Sequence, residues 1–388
     1  RAHRAYGALF KETPRYTYAV PYRHEKIRIG YISPDFRRNV MQHFVQPLLT
    51  AYDRAHFEVY VYSTAAEPDE VTAALRPHAD VWYDMGGTAP EGIAAQIHVD
   101  EIDVLVDLAG HASGGALPVL AHKPAPVQVM GLGYTATSGL DAVNYFLTDA
   151  LCDPVGGESE QYFTEQLIRL PSQFVYVPRA GLPAPTGTPA RRRGYILFGV
   201  FNQYRKFTDE MLLLWREIME RVPTAQLLLK SQIFFAPAMA EEARTRLACL
   251  GFDLTRVLLE PATTDYMERY LDVDIALDTY PWPGGGTTCD ALYMGVPVVT
   301  LYGARRSTRF SYALLSLVGL DELAVQSPAE YVAHAAGLAG DLDRLDQLHV
   351  SLRARMERSA VMDQEGYMRA LEQAYEHALA RWSEGERA

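Results

Sequence analysis

The chain has 388 residues, 48% hydrophobic and 22% charged, with 28 glycines and 23 prolines. That balance excludes collagenous and low-complexity classes and fits a globular chain of two or three domains at about 150 residues each. Lys plus Arg number 36 against 48 Asp plus Glu, a net charge of −12. Nothing global draws such a chain to nucleic acid or anionic lipid, so any anionic ligand has to be met by a local site.

Residues 1–25 read as an N-terminal helical segment that breaks at Pro14 and Pro21. From Lys26 the pattern changes to short buried-strand runs separated by helices. IRIGYIS (Ile27–Ser33) is followed by a helix over Gln42–Tyr52, then FEVYVYS (Phe57–Ser63), a helix around Pro68–Arg76 and ADVWYD (Ala79–Asp84). A helix over Pro90–His98 leads to IDVLVDLAG (Ile102–Gly110) and APVQVMGLG (Ala125–Gly133), and this first domain is expected to span 26–180. Prolines, glycines and three consecutive arginines then mark 181–194 as a linker or exposed loop. Alternation restarts in a second domain, 195–345, with YILFGVF (Tyr195–Phe201), the helix EMLLLWREIMERV and AQLLLKS (Ala225–Ser231). A helix near Met239–Leu250, RVLLE (Arg256–Glu260), VDIALDT (Val273–Thr279) and PVVTLYG (Pro297–Gly303) complete it, and 346–388 reads as C-terminal helices. Near-continuous Val/Ile/Leu strands alternating with helices predict parallel sheets covered on both faces. The expected fold class is therefore α/β, as two successive Rossmann-like halves with a ligand cleft between them.

Three cysteines, Cys152, Cys249 and Cys289, lie far apart with no CxxC and no Cys/His cluster. A disulfide framework or zinc site is not expected, and a reducing, cytoplasmic setting fits. No apolar run approaches the roughly 18 residues of a membrane span, and the opening segment lacks a signal-peptide pattern.

Open α/β sheets bind ligands at the carboxyl ends of their strands. After YILFGVF come Asn202, Gln203, Tyr204, Arg205 and Lys206, amide and cationic donors able to hold phosphate oxygens, or else a solvated loop. After VDIALDT comes Pro281-Trp282-Pro283-Gly284-Gly285-Gly286-Thr287-Thr288-Cys289-Asp290, opening a helix. Its glycines let backbone approach a ligand, and a helix N-terminus presents free N–H groups and a positive dipole end. Thr287 and Thr288 can cap that helix or donate to a diphosphate, and Asp290 can accept from ribose hydroxyls. The stretch lacks both the GxGxxG and the GK[ST] fingerprints. Tyr266, just ahead of VDIALDT, could lie over a nucleobase or pack in the core. Asp272-Val273-Asp274 has the spacing of a metal-binding pair, but it leads into a buried strand and Asp274 reads as structural. In the first half, Asp35 follows the first strand, and Asp107 and His111 end the fourth. His43 reads as a satisfied helix histidine rather than a catalyst.

These segments carry a resemblance. RIGYISPDFRRNVMQHF, IDVLVDLAGHASG, KPAPVQVMGLGYTATSGLDAVNYFLTD, FNQYRKF, DVDIALDTYPWPGGGTTCDALYMGVPVVTLYG and TRFSYALLSLVGL occur in this order, and the chain from about Arg28 to Gln373 resembles the catalytic region of the O-GlcNAc transferase and SPINDLY group, glycosyltransferase family 41. The resemblance implies a GT-B fold of two Rossmann-like domains, a nucleotide-sugar donor and a protein or peptide acceptor. It also implies metal-independent, inverting transfer to a Ser/Thr hydroxyl, with no cofactor, no nucleic acid and no membrane span. Carried over by position, Lys206 matches the lysine that neutralises the diphosphate leaving group and Gln203 its phosphate-binding partner. Thr287 in the Gly285-Gly286 loop matches a threonine on the diphosphate, and Asp290 the carboxylate that holds ribose. Leu132, Gly133 and Tyr134 match a loop near the donor sugar. His3 falls where a histidine has been proposed as base, Asp35 matches a carboxylate proposed to act through water, and His111 is a further proton acceptor or relay. The chain departs from the family at Asn39-Val40, where a His-Pro pair is usual. It departs also at Tyr266 for a base-stacking His, Gly286 for a Thr and Arg205 for a Tyr. UDP-GlcNAc is the first donor expected, with GDP-fucose for O-fucosylation and UDP-glucose for N-glucosylation as alternatives. A nucleotide-sugar-binding scaffold of weak activity is the alternative of another class. The family's tetratricopeptide array does not fall within these residues, which leaves the acceptor open.

Overall fold

A computed structural model describes residues 1–385. The chain forms two compact units, one of Arg1–Val177 together with the segment from Asp363 onward, the other of Pro178–Met362.

The first unit is built on a seven-stranded sheet in the order β3-β2-β1-β4-β5-β6-β7, every pair parallel. Its strands are β1 (Ile27–Ser33), β2 (Phe57–Ser63), β3 (Val81–Asp84), β4 (Val104–Asp107), β5 (Val127–Met130), β6 (Tyr145–Asp149) and β7 (Gln166–Leu170). The helices are α1 (Ala2–Ala8), α2 (Gln42–Thr50), α3 (Glu70–Leu75), α4 (Pro90–Val99) and α5 (Leu117–Ala121). Ile32, Ile97, Leu105 and Phe146, almost without exposure, join the sheet to its helices in one core cluster. The pattern reading placed β1 to β5; β6 and β7 are two further strands that it left out. The N-terminal helix is shorter than expected: past Ala8 the chain passes into turns over residues 9–13 and has no regular structure from there to β1.

The second unit carries a six-stranded sheet in the order β10-β9-β8-β11-β12-β13. Its strands are β8 (Leu197–Val200), β9 (Gln226–Lys230), β10 (Val257–Glu260), β11 (Ile275–Leu277), β12 (Val298–Leu301) and β13 (Ala324–Val325). Among them run α6 (Ala190–Arg193), α7 (Asp209–Arg221), α8 (Pro237–Cys249), α9 (Tyr266–Arg269), α10 (Gly286–Tyr293), α11 (Phe310–Leu317), α12 (Pro328–Gly340) and α13 (Leu342–Glu357). Helix α7 begins where Thr208 accepts from Met211 N–H, and Asp209 and Glu210 face the positive end of its dipole. Its buried Met211, Leu212, Trp215, Ile218 and Met219 recur at helical spacing and turn one stripe to the core.

Residues 181–194, expected as a linker, belong to the second unit. Buried Asp274 accepts from Thr188 Oγ1 at 2.7 Å, Ala190 N at 2.7 Å and Leu197 N at 2.8 Å, and it also pairs with Arg193. That binds the segment to the start of β8. The C-terminal region is likewise divided: α13 stays with the second unit, whereas α14 (Gln364–Ser383) packs on the first through Tyr367, Met368, Leu371 and Tyr375. Glu372 on α14 accepts from the Asp53 backbone N–H at 2.7 Å.

Candidate functional site

In each sheet the strand order reverses once, between β1 and β4 in the first and between β8 and β11 in the second. Loops leaving the two central strands diverge there, opening a crevice at the carboxyl edge where doubly wound folds take ligands. The sequence-derived candidates collect at these two points.

In the second unit, Val200 ends β8 and one 3-10 turn, Tyr204–Lys206, bends the chain back. The turn brings the Lys206 ammonium to the loop after β11, where Nζ donates to Pro283 O at 3.0 Å and to Asn202 Oδ1 at 3.3 Å. The same Asn202 oxygen accepts from Thr287 Oγ1 at 3.2 Å. Burial holds the Lys206 pKa below the usual lysine value, with Arg205 pushing the same way and Asp278 opposing. Gly284 N–H donates to Asp278 Oδ1 at 2.8 Å, and Ser311 Oγ donates to Gly284 O at 3.0 Å. A Cβ on Gly284 would stand 2.5 Å from Thr287 Oγ1 and 2.4 Å from Thr288 Oγ1, so the loop lies tight over the start of α10. Gly285 is the N-cap residue and contributes no side chain, so the first N–H groups of α10, from Gly286 on, are met by neither threonine. The capping role open to Thr287 and Thr288 is thus not taken. Thr288 is buried with its hydroxyl on Ser311 Oγ at 2.8 Å, so its side chain is turned from any ligand and its backbone N–H is what it can offer. Gln203 is exposed beside the turn.

Tyr266 and Asp290 meet directly, the phenol donating to Asp290 Oδ2 at 2.8 Å. Burial raises the Tyr266 pKa, and the Asp290 charge adds to it, so the ring presents a neutral hydroxyl. Helix α9 is anchored by Arg269, which grips Glu260 at the end of β10. Tyr270, stacked on Phe201 at 4.0 Å, donates to Thr287 O at 3.2 Å and floors the loop. Asp272 and Asp274 separate: Asp272 pairs with Arg269 at 2.7 Å, and Asp274 is consumed under β8.

In the first unit, Asp35, His111 and the Leu132-Gly133-Tyr134 loop follow β1, β4 and β5, which are neighbours in the sheet. Asp35 accepts from Asn39 Nδ2 at 2.8 Å, and burial raises its pKa. Asn39 Oδ1 in turn accepts from Met41 N at 2.7 Å. Asp107, wholly buried, accepts from Ala109 N and Gly110 N at 3.1 and 2.8 Å, and burial pushes its pKa up to about 6. Leu132 sits at φ 62°, a left-handed conformation that non-glycine residues adopt at a cost of about 1 kcal/mol and that recurs at functional sites. Gly133 N donates to Leu108 O at 3.1 Å, tying this loop to the end of β4.

His3 and His111 come together although far apart in sequence, their ring centroids 4.5 Å apart, and His3 Nε2 shares a hydrogen bond with Tyr134 OH at 3.0 Å. Burial, then the charge of His111, lowers the His3 pKa. His111 Nε2 lies 2.8 Å from Ser138 O; a carbonyl only accepts, so Nε2 carries the proton and Nδ1 is the basic nitrogen of the neutral ring. His43, by contrast, donates Nδ1–H to Val177 O at 2.8 Å and is a structural residue.

Helix α1 can reach His111 because Gly139, at φ 76°, lets its backbone pass against the loop; a Cβ there would stand 2.1 Å from His3 O. Gly139→Ala is expected to lift α1 from this unit and cost about 1–3 kcal/mol. Faster proteolysis within residues 1–25 and a lower unfolding midpoint would register it; unchanged cleavage would show that α1 docks by other means.

Sequence reasoning passed over Asp278, Tyr270 and Ser311, and it offered Asn202 as a phosphate donor, whereas its amide is spent on Lys206, Thr287 and Asp278. A carboxylate closing a buried strand was the available signal for Asp278; for Tyr270 and Ser311 there was none, since a core aromatic and a helix serine are common.

The model of glycosyl transferase family 41 matches residues 6–179 and 191–371. The chain is 36% identical, over all of its length, to a rice protein named probable UDP-N-acetylglucosamine–peptide N-acetylglucosaminyltransferase SPINDLY, and 37% identical over 99% to its Arabidopsis counterpart. It covers 43% of each, so it spans well under half the length of these curated relatives. Among solved structures, a mutant O-GlcNAc transferase of Thermobaculum terrenum is similar with a TM-score of 0.90 at 32% identity, covering 99% of this chain and 74% of that one. Anabaena HepE in complex with UDP and glucose, at 12% identity and a TM-score of 0.56 over 90% of this chain and 100% of that one, shares the fold alone.

Proposed function

The chain belongs to glycosyltransferase family 41, and from that premise we propose that it moves a sugar from a nucleoside diphosphate sugar, UDP-GlcNAc first, to a Ser/Thr hydroxyl of a protein or peptide, with inversion and without a metal ion. The observation that carries the reading is the Lys206 ammonium held against the loop that opens α10. The names of the curated relatives support the donor and the peptide acceptor.

In this reaction the acceptor oxygen attacks the anomeric carbon as the bond to the β-phosphate oxygen breaks. The acceptor proton passes to a base, and the electron pair leaves on the diphosphate. Lys206 and the N–H groups at Gly286–Thr288 supply positive charge where the leaving group gathers negative charge. They do so without reorganising, in a half-buried setting where such interactions are strong. Gln203 adds an amide donor at the rim. Asp290 takes the ribose, and the Tyr266 hydroxyl, already on one of its oxygens, gives way or shares it while the ring faces the base. To the first unit's residues we assign roles on their match to the family motifs alone: Leu132 and Gly133 toward the sugar, and His111, His3 and Asp35 as candidates to take up the acceptor proton. His111 Nδ1 is the basic atom of that set. The proposed setting is the cytoplasm, which suits Cys152, Cys249 and Cys289, none of which forms a disulfide among the described residues. Among the described residues no helix is long and apolar enough to cross a membrane.

The test is a thermal shift series in EDTA. UDP at a hundredfold excess over Kd is expected to stabilise the protein by about 2.7 kcal/mol, with UDP-GlcNAc transfer to peptide followed by mass spectrometry. Stronger stabilisation by GDP would redirect the donor to GDP-fucose, and transfer from UDP-glucose to asparagine would redirect the reaction to N-glucosylation. Binding without single-turnover transfer from any donor would replace the enzyme by a nucleotide-sugar-binding scaffold, the reading that Asn39 and Gly286 favour. Abolition of transfer by EDTA would overturn metal independence.

A further inference from the structure

We propose that Asp278 is a positioning residue: through the Asn202 amide it keeps the Lys206 ammonium charged and aimed at the loop that opens α10. This rests on the reading of Lys206 as the cation for the diphosphate and deepens it.

Asp278 follows β11 at the switch point and is 2% exposed. Its Oδ1 accepts from Gly284 N at 2.8 Å and, more weakly, from Asn202 Nδ2 at 3.4 Å; its Oδ2 accepts from Thr300 Oγ1 at 2.8 Å. These donors are neutral, and a buried carboxylate calls for a compensating cation. Lys206 lies one amide away, bonded to the other end of Asn202. The carboxylate also sets the polarity of that amide. With Nδ2 toward Asp278, Oδ1 is turned to Lys206 and Thr287, the two groups that meet a diphosphate.

The charged neighbours of Lys206 are few: Asp278 from the end of β11 favours the ammonium, and Arg205 from its own turn opposes it. The phenols near Asp278, Tyr270 below the loop and Tyr331 donating to Asp278 O at 2.9 Å, are buried and held neutral. Burial alone would drive the amine toward its neutral form, which has no charge to offer the leaving group. Asp278 offsets that burial, and by holding Gly284 N–H it fixes the loop that the ammonium faces.

The experiment is competitive labelling of the Lys206 amine with trace acetic anhydride in ligand-free protein, followed by peptide mass spectrometry across a pH series. Asp278→Asn keeps the shape and, with Oδ1 toward Gly284 N and Asn202 Nδ2, one accepting end, while its Nδ2 donates to Thr300 Oγ1 where the carboxylate accepted; the charge is removed. Its Lys206 labelling midpoint is expected about one to two pH units below the parent, with Asp278→Glu restoring it. Should Asp278→Asn fold poorly, Asn202→Asp carries the test with the opposite sign, since a second carboxylate against the ammonium moves the midpoint up. A loss that merely loosened the fold would not move the two variants in opposite directions. Coincident midpoints in Asp278→Asn and the parent, or no rise in Asn202→Asp, would overturn the proposal. A separate arm, UDP affinity of Lys206→Ala at neutral pH, tests the underlying reading: parent-like affinity there would end the role of the lysine, whatever the labelling shows.

Discussion

Lys206→Ala is expected to lower sugar transfer by about two to three orders of magnitude, roughly 3–4 kcal/mol of transition-state stabilisation, while the fold stays intact. The asymmetry follows from where the side chain ends. Its ammonium bonds two neutral oxygens, Pro283 O and Asn202 Oδ1, and the second keeps Thr287 as a donor once the lysine is gone. Lost hydrogen bonds of this kind cost about 1 kcal/mol each, and water can reach a half-buried position. Neither Arg205, exposed on the turn, nor Lys230, engaged by Glu260 and Pro261 O, takes the place of that cation in the transition state. Steady-state kcat/KM with a fixed peptide, paired with a circular dichroism melt, separates the two effects. Near-parent turnover would remove Lys206 from the leaving group, and collapse of the melt would mean its role is structural.

The largest stability effect is expected at Asp274. Asp274→Ala leaves the Thr188 hydroxyl, the Ala190 and Leu197 N–H groups and the Arg193 guanidinium without their shared acceptor. Breaking a buried pair by removing one partner costs about 3–5 kcal/mol, and at about 2–4 °C per kcal/mol for a unit of this size the midpoint falls by roughly 10 °C. A chain of two units need not unfold in one step. Hydrogen exchange of the β8 and β11 amides is therefore the better gauge: protection should fall there and persist in β1 and β4. Exchange unchanged in β8 would refute this account. A metal-binding pair would behave differently, gaining protection in the parent on addition of divalent cations; none is expected.

Much of the fold was legible in the sequence because a strand buried on both faces reads as an unbroken apolar run. Val104–Val106 and Leu197–Val200 are of that kind. Two of the strands that escaped notice lacked that signature. Gln166–Leu170 lies at the sheet edge with mixed burial, and Ala324–Val325 is two residues long. The glycine-rich opening of α10 and the cation after β8 were legible as candidates, since each follows a strand that the pattern reveals. The direction of each side chain was not. Thr287 turns to Asn202 while Thr288 turns to Ser311, and nothing in two adjacent threonines distinguishes them.

By itself the sequence determined the alternation of strands and helices, the strand ends where polar residues gather, and the family whose motifs those ends carry. These are local matters: burial periodicity, turn chemistry and helix starts act over a few residues. Tertiary structure alone decided that β8 and β11 lie side by side, so that Lys206, Asn202, Asp278 and Gly284 share one hydrogen-bonded cluster. It also decided that His3 meets His111 and that the last helix packs against the first unit. Contacts between residues distant in the chain depend on strand order and on which apolar faces remain to be covered, and no short-range pattern encodes either.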